Sequence, residues 1–235
     1  CTHLVVDEAH HAPASTWSGI IGSFSDRPVL LFTATPFRND GRALPGKVIF
    51  RFPLREAQAD GYFSTIDFKA ITGLGEADEE LAKAALARLR SDIEAGLEHV
   101  LLARTSTRSR AEEILALYER LARDLQPRIL HHGLSGRTAK SNLAALRSGA
   151  CRIIVCVDML GEGFDLPTLK VIAFHDPRRS LSPMIQLVGR VARTSSTRQV
   201  GAASVFVVQE PRALVSPMRQ LLREDADWNA VLSDI

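Results

Sequence analysis

Short apolar runs alternate along this chain with longer stretches in which apolar residues return every three or four positions. The short β-branched or Leu-rich runs predict strands, and the periodic stretches predict helices. Strands are expected at about 3–6, 29–33, 47–52, 66–71, 99–103, 127–131, 152–157, 170–174 and 203–208. The clearest helix covers about 79–95, where Leu81, Ala85, Leu89 and Ile93 share one face. A second covers about 109–125 with Ile114, Leu117 and Leu121 inward, and others are expected at about 136–148, 182–193 and 212–226. Strands alternating with helices almost to the end predict an α/β fold with a mainly parallel sheet.

Length and composition narrow the class without altering that picture. At 235 residues the chain holds one large domain or two small ones. With 46% hydrophobic and 24% charged residues, a disordered or collagen-like chain is excluded. The longest apolar runs fall far short of a membrane span, and Asp7-Glu8 follows the opening residues too soon for a signal peptide. The first residue is Cys1 rather than Met, which reads as a fragment. Cys1, Cys151 and Cys156 offer neither a disulfide framework nor a Cys-x-x-Cys zinc pair, so a reducing cytoplasmic setting is expected. The net charge of +2 gives no overall pull towards nucleic acid. Between 177 and 209, however, Arg178, Arg179, Arg190, Arg193 and Arg198 occur with no carboxylate. Such a run is commonly a solvated face unless a motif explains it.

Four segments carry candidate chemistry. Leu4-Val5-Val6 leads into Asp7-Glu8-Ala9-His10, an apolar strand ending in two carboxylates. Ligands of open α/β sheets bind beyond the carboxyl ends of strands, where an Asp can hold Mg²⁺ through water and a neighbouring Glu can polarise an attacking water. Taken alone the pair reads better as a helix start, where carboxylates favour the dipole. It is accompanied by Leu30 to Pro36, a strand ending in Thr33-Ala34-Thr35; by Val157 to Asp165, a strand entering the glycine-rich Gly161-Glu162-Gly163; and by Gln186-Leu187-Val188-Gly189-Arg190-Val191-Ala192-Arg193, with two arginines three apart on one helix face.

In this order the segments resemble the superfamily 2 helicases and translocases. Asp7-Glu8-Ala9-His10 is similar to motif II, the Walker B or DEAH box; Thr33-Ala34-Thr35 to motif III; Leu102-Ala103-Arg104-Thr105 to motif IV; 157–165 to motif V; and 186–193 to motif VI. Asp-Glu-Ala-His-His, Thr-Ala-Thr-Pro-Phe-Arg-Asn-Asp-Gly and Gly-Glu-Gly-Phe-Asp-Leu-Pro most resemble the branch holding restriction-enzyme motor subunits and related DNA repair helicases.

The resemblance implies a RecA-like P-loop NTPase core with two lobes. Residues 1–63 would be the C-terminal part of the first lobe plus a linker, hence incomplete, and 64–235 a complete second lobe. It implies an ATP-dependent helicase or translocase, acting on DNA rather than RNA, with ATP and Mg²⁺ as cofactors. Asp7 (through water to Mg²⁺), Glu8, Arg190 and Arg193 would be catalytic, and His10, Gly163, Asp165 and Gln186 would bind nucleotide. Thr33 and Thr35 would couple hydrolysis to lobe movement, while Arg104, Thr105, Gly133 and Ser135 would hold strand phosphates. A nuclease or specificity subunit outside the chain is the implied protein partner. The alternative is a catalytically silent helicase-like module that binds nucleic acid or protein.

Gly41 to Lys47 has the spacing of a phosphate-binding loop, but Val48 replaces the hydroxyl, and a strand rather than a helix is expected next. The phosphate loop is therefore expected before Cys1, and the 235 residues alone are expected not to turn ATP over. His131-His132 reads as structural or backbone-facing, Cys151 and Cys156 as core, and Trp17 and Trp228 as packing residues.

Overall fold

The computed structural model describes residues 1–9, 15–33, 46–71, 76–157, 166–176, 187, 189 and 201–208. They fall into two compact units that divide between Arg51 and Phe52. No helix among the described residues is long and apolar enough to cross a membrane.

In the first unit, β1 (Leu4–Val6) pairs in parallel with β2 (Val29–Leu31), with α1 (Ser15–Gly22) between them in sequence. Leu4 lies opposite Val29 and Val6 opposite Leu31. Trp17, expected to pack, is 40% exposed on α1. The strand expected at 47–52 is absent: residues 47–53 are unpaired, with Ile49 76% and Phe50 78% exposed. An apolar, β-branched run becomes a strand only where a neighbouring strand takes its backbone hydrogen bonds, and none of the described strands does so here. The phosphate-loop spacing before Val48 is still not followed by a helix start, because the next helix begins at Leu54.

The second unit begins with α2 (Leu54–Ala59) and is built on six parallel strands. They are β3 (Ile66–Ile71), β4 (Val100–Thr105), β5 (Arg128–Leu130), β6 (Ile153–Val157), β7 (Leu169–Phe174) and β8 (Ala203–Val208), in the spatial order β3-β8-β7-β4-β6-β5. Every residue of β4 and β7 is buried, as a parallel sheet covered on both faces requires. Alternation divides the sheet. Leu101, Ala103, Ile153, Val155, Val171, Ala173 and Phe206 meet α3 (Ala77–Glu94) and α4 (Arg108–Ala122) in one apolar core. α5 (Gly136–Arg147) packs by the edge strand β5, where Asn142 Nδ2 donates to the Ile129 carbonyl at 2.8 Å.

On the two long helices the buried faces include residues beyond those expected. Leu81, Ala85 and Leu89 are buried as expected, but so is Asp92. On α4 the deepest side chain is Tyr118, one position beyond the expected Leu117. Cys151 and Cys156 are core residues as expected. The helices expected at 182–193 and 212–226, and Trp228, lie outside the described residues, although Leu187 and Gly189 are helical.

Candidate nucleic-acid interface

In a parallel sheet all strands deliver their carboxyl ends to one edge, and the turns following β4 and β5 meet there. After β4, Thr107 caps α4: its hydroxyl oxygen accepts from the Arg110 amide at 3.2 Å. After β5, Ser135 caps α5 by accepting from the Thr138 amide at 3.1 Å. Neither helix has an acidic residue in its first turn, whereas α3 has Asp78, Glu79 and Glu80. Arg108, Arg110 and Arg137 stand in those two first turns instead. A helix N-terminus free of carboxylates, with its leading amides unpaired within the helix, favours a bound anion.

The two turns touch. The Arg108 guanidinium lies against Gly133, and a Cβ built there would come within 2.6 Å of Arg108 Nη1. Gly133 thereby lets the cation settle on the backbone of the β5–α5 turn. His131 closes that turn by accepting from the Gly133 amide through Nδ1 at 3.0 Å, so it is backbone-facing as expected, whereas His132 is exposed. Ser106, Thr107, Arg108, His132, Gly133, Ser135 and Arg137 are exposed, and form an accessible polar and basic edge.

Arg104 and Thr105 are placed differently. Both are buried; Thr105 Oγ1 donates towards the carbonyls of Cys156 and Thr107, at 3.2 and 3.4 Å. Arg104 Nη1 donates to the Asp176 carbonyl at 2.8 Å. These two side chains tie strand ends together, and the exposed groups of the edge come one to four residues later in sequence. Sequence reasoning missed Arg108 and Arg137, although their lack of acidic neighbours in a first turn was a readable signal.

Beneath the edge lies a partly buried polar network. Asp78 accepts from His175 Nδ1 at 2.8 Å and from Arg110 Nη2. His175 Nε2 meets the Tyr118 hydroxyl at 3.1 Å. Burial works against the Asp78 charge, but the His175 and Arg110 hydrogen bonds outweigh it and hold the carboxyl below its ordinary range. Burial likewise opposes the Arg110 charge, and Asp78 and Glu113 more than offset it. Burial pushes the Tyr118 phenol up, so it remains a hydroxyl donor. A carboxylate only accepts, so His175 carries its hydrogen on Nδ1 and its neutral form accepts from Tyr118 at Nε2.

In the first unit, Asp7 is exposed just past β1 and accepts from the Glu8 amide through Oδ1 at 2.8 Å. Glu8 has φ of +49°, in the left-handed region. A side-chain-bearing residue held there costs on the order of 1 kcal/mol or more, and such residues concentrate at functional sites. Ala9 donates to the Phe32 carbonyl at 2.9 Å, fixing the carboxylate turn against the chain leading to Thr33. His10, Thr35, Gly163, Asp165, Gln186, Arg190 and Arg193 lie outside the described residues.

No three His, Cys, Asp or Glu side chains gather into a metal cluster among the described residues. Mg²⁺ held with a nucleotide needs none, since it keeps several waters and takes most other ligands from phosphates. An exposed carboxylate at the end of a parallel strand fits that demand.

A parallel α/β sheet that delivers its strand ends and their turns to one edge is the layout in which ligands bind along that edge. Residues 84–195 match the helicase conserved C-terminal domain, and 2–38 match the type III restriction enzyme res subunit. Both matches place the chain's similarity with the superfamily 2 helicases and translocases, with restriction-enzyme-like relatives. A protein of a Sulfolobus islandicus filamentous virus described as helicase 22 is 22% identical over 98% of this chain and 46% of its own length. The ATP-dependent RNA helicase dbp8 of Neosartorya fischeri is 31% identical over 56% of this chain and 26% of its own. This chain thus spans less than half of either relative. A fragment described as the HsdR subunit of a Vibrio vulnificus type I restriction enzyme shares the fold, with TM-score 0.63 and 19% identity over 90% of this chain and 46% of that one.

Proposed function

We propose that this chain is the part of an ATP-driven helicase or translocase that grips one strand of DNA by its phosphates. The observation that carries this reading is the pair of capped, acid-free helix starts on one sheet edge, joined by Arg108 lying on Gly133. Backbone amides and arginines there hold phosphate oxygens and ignore base identity, which suits a motor that moves along any sequence. Gly133 and Ser135 belong to this grip, with Arg104 and Thr105 supporting it from below. DNA is favoured over RNA by the match of 2–38 to a restriction-enzyme subunit and by the wording of the motifs. A nuclease or specificity subunit is the partner this reading implies.

In the same reading Asp7 would hold Mg²⁺ through water, Glu8 would orient the attacking water, and Arg190 and Arg193 would offset charge on the transferring phosphoryl group. His10, Gly163, Asp165 and Gln186 contact the nucleotide, and Thr33 and Thr35 pass its state on. Bound Mg²⁺–ATP supplies the phosphoryl-transfer free energy. The retained Glu8, Arg190 and Arg193 set this reading above a silent binding module.

Fluorescence anisotropy with labelled single-stranded DNA and RNA of one sequence tests the grip. Affinity for DNA should fall steeply between about 50 and 200 mM salt, and Arg108→Ala with Arg137→Ala should flatten the log–log slope by about 1 to 1.5. No measurable DNA binding, or an unchanged slope in the double variant, contradicts the grip. Clear preference for RNA contradicts the choice of track.

A further inference from the structure

Asp176 stands at the proposed phosphate grip with the wrong charge. Its Oδ2 accepts from both the amide and the hydroxyl of Ser106, at 2.7 and 2.8 Å, on the turn that opens α4. Its Oδ1 accepts from Arg110 Nε at 3.2 Å. A carboxylate so close to an anion site repels the ligand, so its presence calls for a compensating role.

The surrounding bonds indicate that role. Backbone and side chain of Asp176 are both fixed to β4 and its turn: Arg104 Nη1 donates to the Asp176 carbonyl, and the preceding His175 amide donates to the Arg104 carbonyl at 3.1 Å. His175 is anchored separately through Asp78 and Tyr118. Asp176 shares the Arg110 guanidinium with Asp78 and Glu113. A phosphate approaching α4 therefore meets a turn whose first polar residue is immobilised. The next residue, Thr107, is the α4 cap, and the amides after it point away from the helix.

We infer that Asp176 is a positioning residue for strand binding: it fixes the Ser106–Thr107 turn so that the leading amides of α4 and Arg108 are pre-set for a phosphate. This rests on the nucleic-acid reading above and names a residue that no motif of the sequence includes. Pre-setting raises affinity because the turn is ordered before the ligand arrives.

Asp176→Ala is a clean probe. It keeps the backbone bonds to Arg104 and leaves Arg110 with two other carboxylates, so no buried charge is stranded. DNA binding by anisotropy should weaken about tenfold, the size of one lost charge-assisted hydrogen bond. Asp176→Asn, whose amide oxygen still accepts from Ser106, should recover to within about threefold. Hydrogen exchange of the free protein should quicken at Ser106 in Asp176→Ala and stay unchanged along β4 and β7, which a merely structural defect would not produce. Equal DNA affinity in wild type and Asp176→Ala overturns the inference and leaves the grip standing. Tighter binding by Asp176→Ala also overturns it, by making Asp176 a competitor for the phosphate site. Failure of the wild type to bind DNA removes the proposed function and this inference together.

Discussion

Tyr118 and Lys170 are both carried into the core, with opposite consequences. The Tyr118 hydroxyl reaches His175, so Tyr118→Phe leaves a buried ring nitrogen unpaired at almost constant volume. Urea unfolding should register a loss of about 1–2 kcal/mol. Lys170, on the central strand β7, donates to Ser64 Oγ at 3.3 Å, and burial pushes its ammonium down to about 8. The folded protein then binds this proton less well than the unfolded chain, so the burden is full below pH 8 and eases as pH climbs towards the ordinary lysine value. Lys170→Met should raise stability at pH 7 by about 1–3 kcal/mol, and its advantage should shrink above pH 8. Asp78 has the reverse sign. Its carboxyl is held low in the folded state, so its contribution is complete above the ordinary carboxylate range and is lost as pH falls through that range and below it. The urea midpoint should therefore drop on acidification below about pH 4, and less so in Asp78→Asn. None of these partners was legible in the sequence. Tyr118, His175 and Asp78 come from three elements, and no local pattern announces a pairing that only the tertiary fold creates.

At the scale of elements, β4, β6, β7 and β8 were readable because a strand buried on both faces must be almost wholly apolar. The run at 47–52 has the same look and fails, since periodicity reports burial preference and not whether a partner strand exists. β1 is the intermediate case: it pairs over three residues with β2, and Val5 is 61% exposed. Hydrogen exchange should therefore find Leu4–Val6 far less protected than Ile153–Val157; equal protection would contradict the weight given to that difference. The caps give a second test. Ser135→Ala should cost about 1 kcal/mol by urea unfolding, as expected for a lost N-cap. Ser135 was legible in the sequence as a site residue. The meeting of the two capped turns was not, because β5 is placed at the sheet edge by chain topology rather than by its own three residues.

For the whole molecule, the order of the motifs carried the family reading, and the parallel sheet and family matches agree with it. In the proposed function these motifs act on a single phosphoryl group, and that has a kinetic signature. Groups serving one step lower turnover individually and combine to less than the product of their separate effects, whereas unrelated surface residues change little and multiply. The most direct measurement is DNA-stimulated ATP turnover by the full-length protein, comparing Glu8→Gln, Arg193→Ala and the double variant with wild type. Each single variant should keep ATP binding while turnover falls by about 10³-fold or more, and the double variant should fall little further. Near-normal turnover in Arg193→Ala, or losses that simply multiply in the double variant, would contradict the assignment of this chain to an ATP-driven motor.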